Sequence, residues 1–220
     1  MTVKLMKPLA VSELSAALRS SAMRLVRDSR GIAAVEFAVI VPLMLVMFFG
    51  MVEFSSGVAV NRKVALVTQE LADLASRYQS VSDTDFVNFN NIANAMMKPY
   101  DQTPLNATIS ELYIDPSTGD ARVQWSKGAQ PRAVSSKVVV SKVVVPSALI
   151  ARDSVTNAIL PAQYLIFTEA NYLYTPAVGY VMAKAGVTLS NKIFMRPRLT
   201  TCVIYPTPTG TTVLPPCPTS

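Results

Sequence analysis

The chain has 220 residues, enough for one modest domain with an appended segment and too few for two large domains. Half of the residues are hydrophobic and 15% are charged, which excludes the composition of a disordered chain. The formal charge of +6 comes largely from the residues before Gly31, so it indicates an orientation signal at a membrane rather than a nucleic-acid-binding surface.

Residues 1–31 are a basic leader, and residues 32–52 are an apolar run with a single charged residue, Glu36. A run of this length crosses roughly 30 Å of hydrocarbon as a helix, and membrane helices tolerate an internal proline such as Pro42. The leader is too long for an ordinary signal peptide, and the run lacks a cleavage site at its far end. The positive-inside rule therefore predicts a cytoplasmic N-terminus and a periplasmic chain after about residue 53. The basic residues of the leader are Lys4, Lys7, Arg19, Arg24, Arg27 and Arg30.

The helix is predicted to continue beyond the membrane as an amphipathic extension over residues 53–80, with its last turn at Tyr78. Apolar residues recur there at helical spacing, while charged residues fill the other faces. The apolar stripe either packs on the chain's own C-terminal domain or also contacts neighbouring helices. The stripe consists of Val60, Val64, Val67, Leu71, Leu74 and Tyr78.

Residues 81–201 predict an α+β head. A second helix starts at Ser82 or Asp83 and stops before Pro99. A hairpin follows, in which "ATISELYID" and "ARVQWSK" flank a turn, and Val123 and Trp125 alternate with polar neighbours. Further strands are predicted in the Val-rich repeat at 136–145, at 163–176 and at 186–198. Helices first and strands later predict a small antiparallel sheet that leans on the long helix.

The tail at 202–220 is rich in proline and threonine and contains the only two cysteines, Cys202 and Cys217. In an oxidising compartment the two would form a disulfide, and closing so short a loop contributes roughly 3 kcal/mol. The alternative is a pair of free thiols in a loose tail. The segment itself is too irregular to predict a core.

The composition argues against an enzyme. The chain has no histidine, which excludes Ser-His-Asp and Cys-His catalysis and the commonest zinc and iron sites. Ser-Lys pairs at 135–137 and 141–142 lie in the Val-rich run, where lysines protect a strand edge from aggregation. The eight glycines are scattered singly and form no phosphate-binding loop. We expect no catalytic residue, metal, cofactor, small-molecule substrate or nucleic acid. Paired carboxylates at Asp83 with Asp85 and at Asp115 with Asp120 suit a helix start and a turn.

Glu36 needs an explanation, because a carboxylate in hydrocarbon is unfavourable by a few kcal/mol or more. One interpretation is that its side chain reaches the membrane surface. The surrounding residues offer another: in "GIAAVEF", Gly31 follows a basic segment, and Glu36 and Phe37 open the apolar helix. This pattern resembles the processing site of type IV pilin-like prepilins. Cleavage after Gly31 would give Ile32 a free ammonium group about one helical turn from Glu36, and the two charges would be partners.

The stretch "RGIAAVEFAVIVPLMLVMFFGMVEFS" resembles, more specifically, the N-terminus of TadE-family pseudopilins of tight-adherence (Flp-type) pilus systems. The matching exit from the apolar run is Gly50, Glu53 and Phe54. Shorter matches follow downstream in Tyr172, Tyr174 and Pro176 of "YLYTP", in Arg196, Pro197 and Arg198 of "MRPR", and in the two C-terminal cysteines.

The resemblance implies a pilin-like fold and a non-enzymatic minor pilin of the inner membrane that is cleaved by a prepilin peptidase. It also implies other pseudopilins and pilins of the Tad apparatus as partners, and a role in assembling a pilus for adherence and biofilm formation. The alternative is a signal-anchored periplasmic binding or scaffold domain that is never cleaved, in which Glu36 is incidental.

Overall fold

The computed structural model describes residues 19, 23, 31–134, 145–176, 186–206 and 217. The chain divides into two compact units, Met1–Met51 and Val52–Ser220. The predicted fold class is confirmed, since one long helix with an apolar first half is followed by an α+β head with a four-stranded antiparallel sheet. The elements are helices α1 (Ile32–Ser76) and α2 (Asp83–Met97), and strands β1 (Leu105–Ile114), β2 (Ala121–Gly128), β3 (Gln163–Tyr174) and β4 (Val187–Met195).

In the first unit, α1 is apolar on all sides. An 18-residue window of the helix reaches a mean hydropathy of 2.5, and none of that window is buried. Its length and composition are those of a helix that can cross a membrane, and Pro42 lies inside it. Large apolar side chains of this unit, such as Phe37, Leu43 and Phe48, are exposed, whereas side chains of this kind are usually buried in a folded domain.

In the second unit, the remainder of α1 buries the predicted stripe against the sheet. Val60, Val64 and Val67 are fully buried and share one core with Leu71 and Ala75. The helix ends at Ser76, two residues before the predicted Tyr78. The N–H groups of Arg77 and Tyr78 bind the carbonyls three residues back, and this tighter turn closes the helix.

Helix α2 starts and stops where the sequence predicts. Ser82 is the N-cap, and a reciprocal capping box links its backbone and side chain to Asp85. The helix ends before Lys98 and Pro99. Lys63 of α1 secures this end, because its ammonium group donates to Met96 O at 2.9 Å and also to the carbonyl of Lys98.

The sheet has the order β2-β1-β3-β4, and every neighbouring pair is antiparallel. Both faces are covered. The helix face, which packs on α1 and α2, carries Ile109, Trp125, Ile166, Ala170 and Tyr172. The outer face carries a second core of Leu112, Ile114, Ala121, Val123, Leu165 and Phe167, covered by Leu149, Ile150 and Ile159 of the segment before β3.

A β-bulge corrects one prediction. The register between β1 and β2 shifts between Glu111 and Leu112, so that Glu111 pairs with Trp125 while Leu112 pairs with Val123. Gln124 is the extra residue, and an extra residue reverses the alternation of side chains. Trp125 therefore joins the helix-face core and Val123 joins the outer core, whereas simple alternation places both on one face.

The other predicted strands have different outcomes. The strands predicted at 163–176 and 186–198 are β3 and β4. The strand predicted at 136–145 lies outside the described residues except for Val145, which is buried in the outer core. Asp115 and Asp120 close the β1–β2 turn, where the Asp115 N–H donates to the Asp120 carbonyl at 2.9 Å.

The C-terminal segment contributes to the core, contrary to the prediction that it is too irregular to form one. Cys202 is buried, and Val203 is fully buried in the helix-face core. A short parallel bridge joins Ile204 to Ser80 after the end of α1. Residues 202–205, called the C-terminal strap below, thus belong to the packed head.

Substituting Leu71→Ala tests the packing of α1 on the sheet. Leu71 is 2% exposed, and removing its side chain should lower the free energy of unfolding by about 2–5 kcal/mol. Leu66→Ala is the matched control on the same helix, because Leu66 is 57% exposed and should change that value by about 0.5 kcal/mol or less. Denaturant unfolding of the full chain in detergent, followed by Trp125 fluorescence, measures both; equal effects would contradict the packing described.

Candidate functional site

The predicted processing residues lie at the start of α1. Gly31 immediately precedes the helix, which begins at Ile32. No heavy atom lies within 4 Å of the position that a Cβ atom on Gly31 would occupy. Ile32, Glu36 and Phe37 are exposed. The Gly31–Ile32 peptide bond is therefore not covered by any described part of the chain.

Helical geometry brings Ile32 and Glu36 together. The two residues are four apart within α1, so they lie on one face, separated by about 6 Å along the axis. Phe37 is the next residue round the helix. The arrangement places a carboxyl group one turn from the backbone nitrogen of Ile32, which is where a new N-terminus would carry its charge.

A second carboxyl group, Glu53, is buried in the second unit. Glu53 is 4% exposed, and its Oε1 atom accepts a hydrogen bond from the hydroxyl group of Tyr174 at the end of β3. Both residues belong to the motifs that carry the sequence resemblance, 121 positions apart. The fold thus joins the exit of the apolar run to the "YLYTP" motif.

The ring of Tyr174 packs against α1 beside Gly57. A Cβ atom on Gly57 would lie 3.6 Å from Cε1 of Tyr174, an ordinary van der Waals distance, so the ring packs close to this part of α1. Burial, together with the hydrogen bond to Glu53, raises the pKa of Tyr174 to about 12. The phenol therefore stays protonated at physiological pH and remains the donor in the pair.

The "MRPR" motif also has a structural role. Arg198 forms an ion pair with Asp73 of α1 at 2.6 Å, and its backbone N–H donates to the Ser76 carbonyl at 2.9 Å. Arg196 donates to the carbonyl of Leu149 at 2.8 Å, on the segment that covers the outer face. The two arginines tie the chain after β4 to the last turn of α1 and to that covering segment.

The two cysteines are joined in the structure. Cys202 and Cys217 form a disulfide with their Cα atoms 5.8 Å apart, within the range that a disulfide requires. Cys202 is the first residue of the C-terminal strap. The disulfide therefore fastens the end of the chain to the packed part of the head.

A third buried carboxyl group, Glu111, holds the strap. Its Oε1 atom accepts the backbone N–H of Val203 at 2.6 Å, and the indole N–H of Trp125 donates to the carbonyl of Val203 at 2.8 Å. Glu111 is 1% exposed, and burial raises the pKa of its carboxyl group to about 8. At neutral pH the group is therefore mostly uncharged.

Sequence reasoning did not find the partners of Glu53, Glu111 and Val203. One signal was present for Glu111: an acidic residue in the middle of "ATISELYID", on the same strand as buried apolar residues, indicates either a solvent-facing position or a buried carboxyl. Glu111 is a buried carboxyl, because it shares the covered helix face with Ile109, and the bulge in β2 places Trp125 opposite it.

A long helix whose apolar first half could cross a membrane, followed by a small α+β head, fits a single-pass anchored protein. The family described as TadE-like protein matches residues 31–73, from the glycine before α1 to Asp73 near its end. This match confirms the resemblance drawn from the sequence over these residues. No curated protein and no solved structure matches the chain.

Substituting Tyr174→Phe tests the contact with Glu53. Losing one donor to a buried carboxyl group should lower the free energy of unfolding by about 1–3 kcal/mol. Tyr172→Phe, two residues earlier on β3, is the matched control. Its hydroxyl donates to the carbonyl of Asp101 at 2.9 Å, a neutral acceptor, so we expect a smaller loss of about 0.5–1.5 kcal/mol. Denaturant unfolding of the full chain measures both, and a larger loss at Tyr172 would contradict the assignment.

Proposed function

We propose that this protein is a minor pilin, or pseudopilin, that a prepilin peptidase processes and that acts in assembly of a Tad (Flp-type) pilus for adherence and biofilm formation. The observation that carries the proposal is the TadE-like match beginning at Gly31. The same residue directly precedes α1, where a cut would release the helix with a new N-terminus.

The local geometry supports cleavage after Gly31. A glycine offers a protease an extended backbone without a side chain, and the surroundings of Gly31 are open. After the cut, the ammonium group of Ile32 would lie one turn from Glu36. The pair would neutralise two charges within the membrane, either in one chain or between the new N-terminus of one subunit and Glu36 of its neighbour.

The proposed topology follows from charge and from the cysteines. Basic residues before the span favour a cytoplasmic leader over residues 1–31, a span at 32–52 and a periplasmic head. The periplasm is oxidising, which suits the disulfide between Cys202 and Cys217. The proposed partners are the prepilin peptidase in the inner membrane and other pilins and pseudopilins of the Tad apparatus.

The head has no catalytic role in this proposed function. Asp85 forms the capping box of α2, and Asp115 and Asp120 shape the β1–β2 turn. Glu53 and Glu111, the buried carboxyl groups with described contacts, bind groups of the chain itself. These side chains support a structural subunit rather than an enzyme.

Substituting Gly31→Trp tests processing. In a host with the Tad prepilin peptidase, we expect the wild-type chain to start at Ile32 and the variant to keep residues 1–30, because a bulky side chain obstructs the peptidase groove. Mass spectrometry of the N-terminus measures this, with a peptidase-deficient strain as reference. Gly50→Trp is the matched control, since Gly50 is equally open and lies away from the junction.

Leaders retained in every strain would contradict the proposal. That result would indicate an uncleaved, membrane-anchored periplasmic domain with a binding or scaffold role.

Substituting Glu36→Gln separates processing from assembly. We expect cleavage after Gly31 to continue, because the peptide bond is unchanged, while the amount of protein in the sheared pilus fraction falls about tenfold or more. Loss of a charge pair worth about 1.4 kcal/mol is enough for a tenfold change. Glu70→Gln, an exposed position on the same helix, is the control. Normal incorporation of the Glu36 variant would overturn the assigned pairing.

A further inference from the structure

The C-terminal strap is held through its backbone. Both polar backbone groups of Val203 are bound by side chains, the N–H by Glu111 and the carbonyl by Trp125. Both polar backbone groups of Ile204 bind the chain after α1: its N–H donates to the Gln79 carbonyl at 3.0 Å, and its carbonyl accepts from Val81 at 2.9 Å. Four hydrogen bonds thus hold two adjacent residues.

Polar and aromatic contacts hold Tyr205, the last residue of the C-terminal strap. The hydroxyl group of Tyr205 donates to Asp83 Oδ1 at 2.8 Å, and Lys127 of β2 lies 3.1 Å from the same oxygen. The Tyr205 ring packs against Phe86 and Trp125. The strap therefore connects the N-terminus of α2 with β2, and it covers the helix-face core beside Glu111.

Glu111 is the contact of the strap that depends on protonation. Its carboxyl group lies in the core with Val203 directly against it, and burial disfavours the charged form. An ionised Glu111 can recover its hydration only if the residue that covers it moves away. The other three hydrogen bonds to Val203 and Ile204 involve an indole and backbone groups, which do not titrate near neutral pH.

We propose that residues 202–205 form a proton-gated strap, which stays seated on the head while the Glu111 carboxyl is neutral and opens locally when Glu111 ionises.

The direction of the pH dependence follows from proton binding. The pKa of Glu111 is about 8 with the strap seated, against an ordinary value of 4.5 in water. The seated state therefore holds its proton at pH values where the open state has lost it. Opening becomes more favourable as pH rises from 4.5 to about 8, by about tenfold per pH unit, and levels off above that range.

Few other groups interfere in this pH range. The chain has no histidine, and Cys202 is held in the disulfide. The phenol of Tyr164 faces Glu111 from β3, and burial together with the charges of its neighbours raises the pKa of this phenol above its ordinary value, so it stays protonated. Lys127 and Asp83 pair with each other. The titratable and charged groups on the surrounding elements (α1 within the head and the turn after it, α2, β1 to β3 and the strap) are Glu53, Arg62, Lys63, Glu70, Asp73, Arg77, Tyr78, Asp83, Asp85, Tyr113, Arg122, Lys127, Tyr164, Glu169, Tyr172, Tyr174 and Tyr205.

Hydrogen exchange measured by mass spectrometry on the full chain in detergent tests the strap. The peptide that contains the amides of Val203 and Ile204 is compared between wild type and Glu111→Gln at several pH values from 5 to 8.5. Glutamine keeps an oxygen acceptor for the Val203 N–H but does not ionise. The ratio of the two exchange rates at one pH cancels the intrinsic dependence of exchange on pH.

We expect this ratio, wild type over variant, to rise about tenfold per pH unit up to about pH 8 in the strap peptide. A peptide from the buried part of α1 around Leu71 is the internal control. Complete unfolding also frees Glu111, so this peptide shows the rise too, but its amides should be better protected than those of the strap peptide at every pH. A ratio independent of pH would overturn the proposal. Equal protection of the two peptides would also overturn it, because the strap would then open only by global unfolding.

A second variant keeps the test decisive if Glu111→Gln does not fold. Trp125→Phe removes the donor to the Val203 carbonyl and leaves Glu111 in place. Exchange in the strap peptide should then be about tenfold faster than in wild type at every pH, with the same dependence on pH. Unchanged exchange, or a lost pH dependence with Glu111 intact, would contradict the assigned roles.

Discussion

The packing of one face of α1 against the sheet is the interaction on which the rest of the head depends. Val60, Val64, Val67 and Leu71 supply the apolar surface that the helix face of the sheet needs. A four-stranded sheet with neither face covered would expose two apolar surfaces to water. Once α1 covers the helix face, α2 and the C-terminal strap fill the space beside it, and the segment before β3 covers the outer face.

Local signals were sufficient for the helices and strands. The capping box at Ser82 and Asp85, the stop before Pro99 and the alternating residues of β3 act over a few positions, so the sequence alone locates them. The bulge at Gln124 was not predictable in this way, because an extra residue in a strand is defined only by its partner strand. The face on which Trp125 lies depended on that bulge.

Contacts between residues far apart in the sequence were the larger part of the structure that the sequence did not predict. The predicted processing residues lie within seven consecutive positions, 31–37, so a motif identifies them as candidates. Glu53 and Tyr174 are 121 positions apart, and Glu111 and Val203 are 92 apart, so no local pattern joins them. The prolines that follow the strap predict an irregular segment without a core. The strap is buried because Val203 packs in one core with residues of α1, α2 and β1. No single segment of the sequence predicts such a core.

The spread of contacts along α1 within the head has a mechanical consequence. Glu53 binds Tyr174 near one end of this part of the helix, the valine stripe packs in the middle, and Asp73 binds Arg198 near the other end. A force applied along the helix axis would load all of these contacts at once, in shear. They could not be broken one after another, as they would be if the helix were peeled from one end. Such an attachment would suit the pilus subunit proposed above when tension acts along its helix.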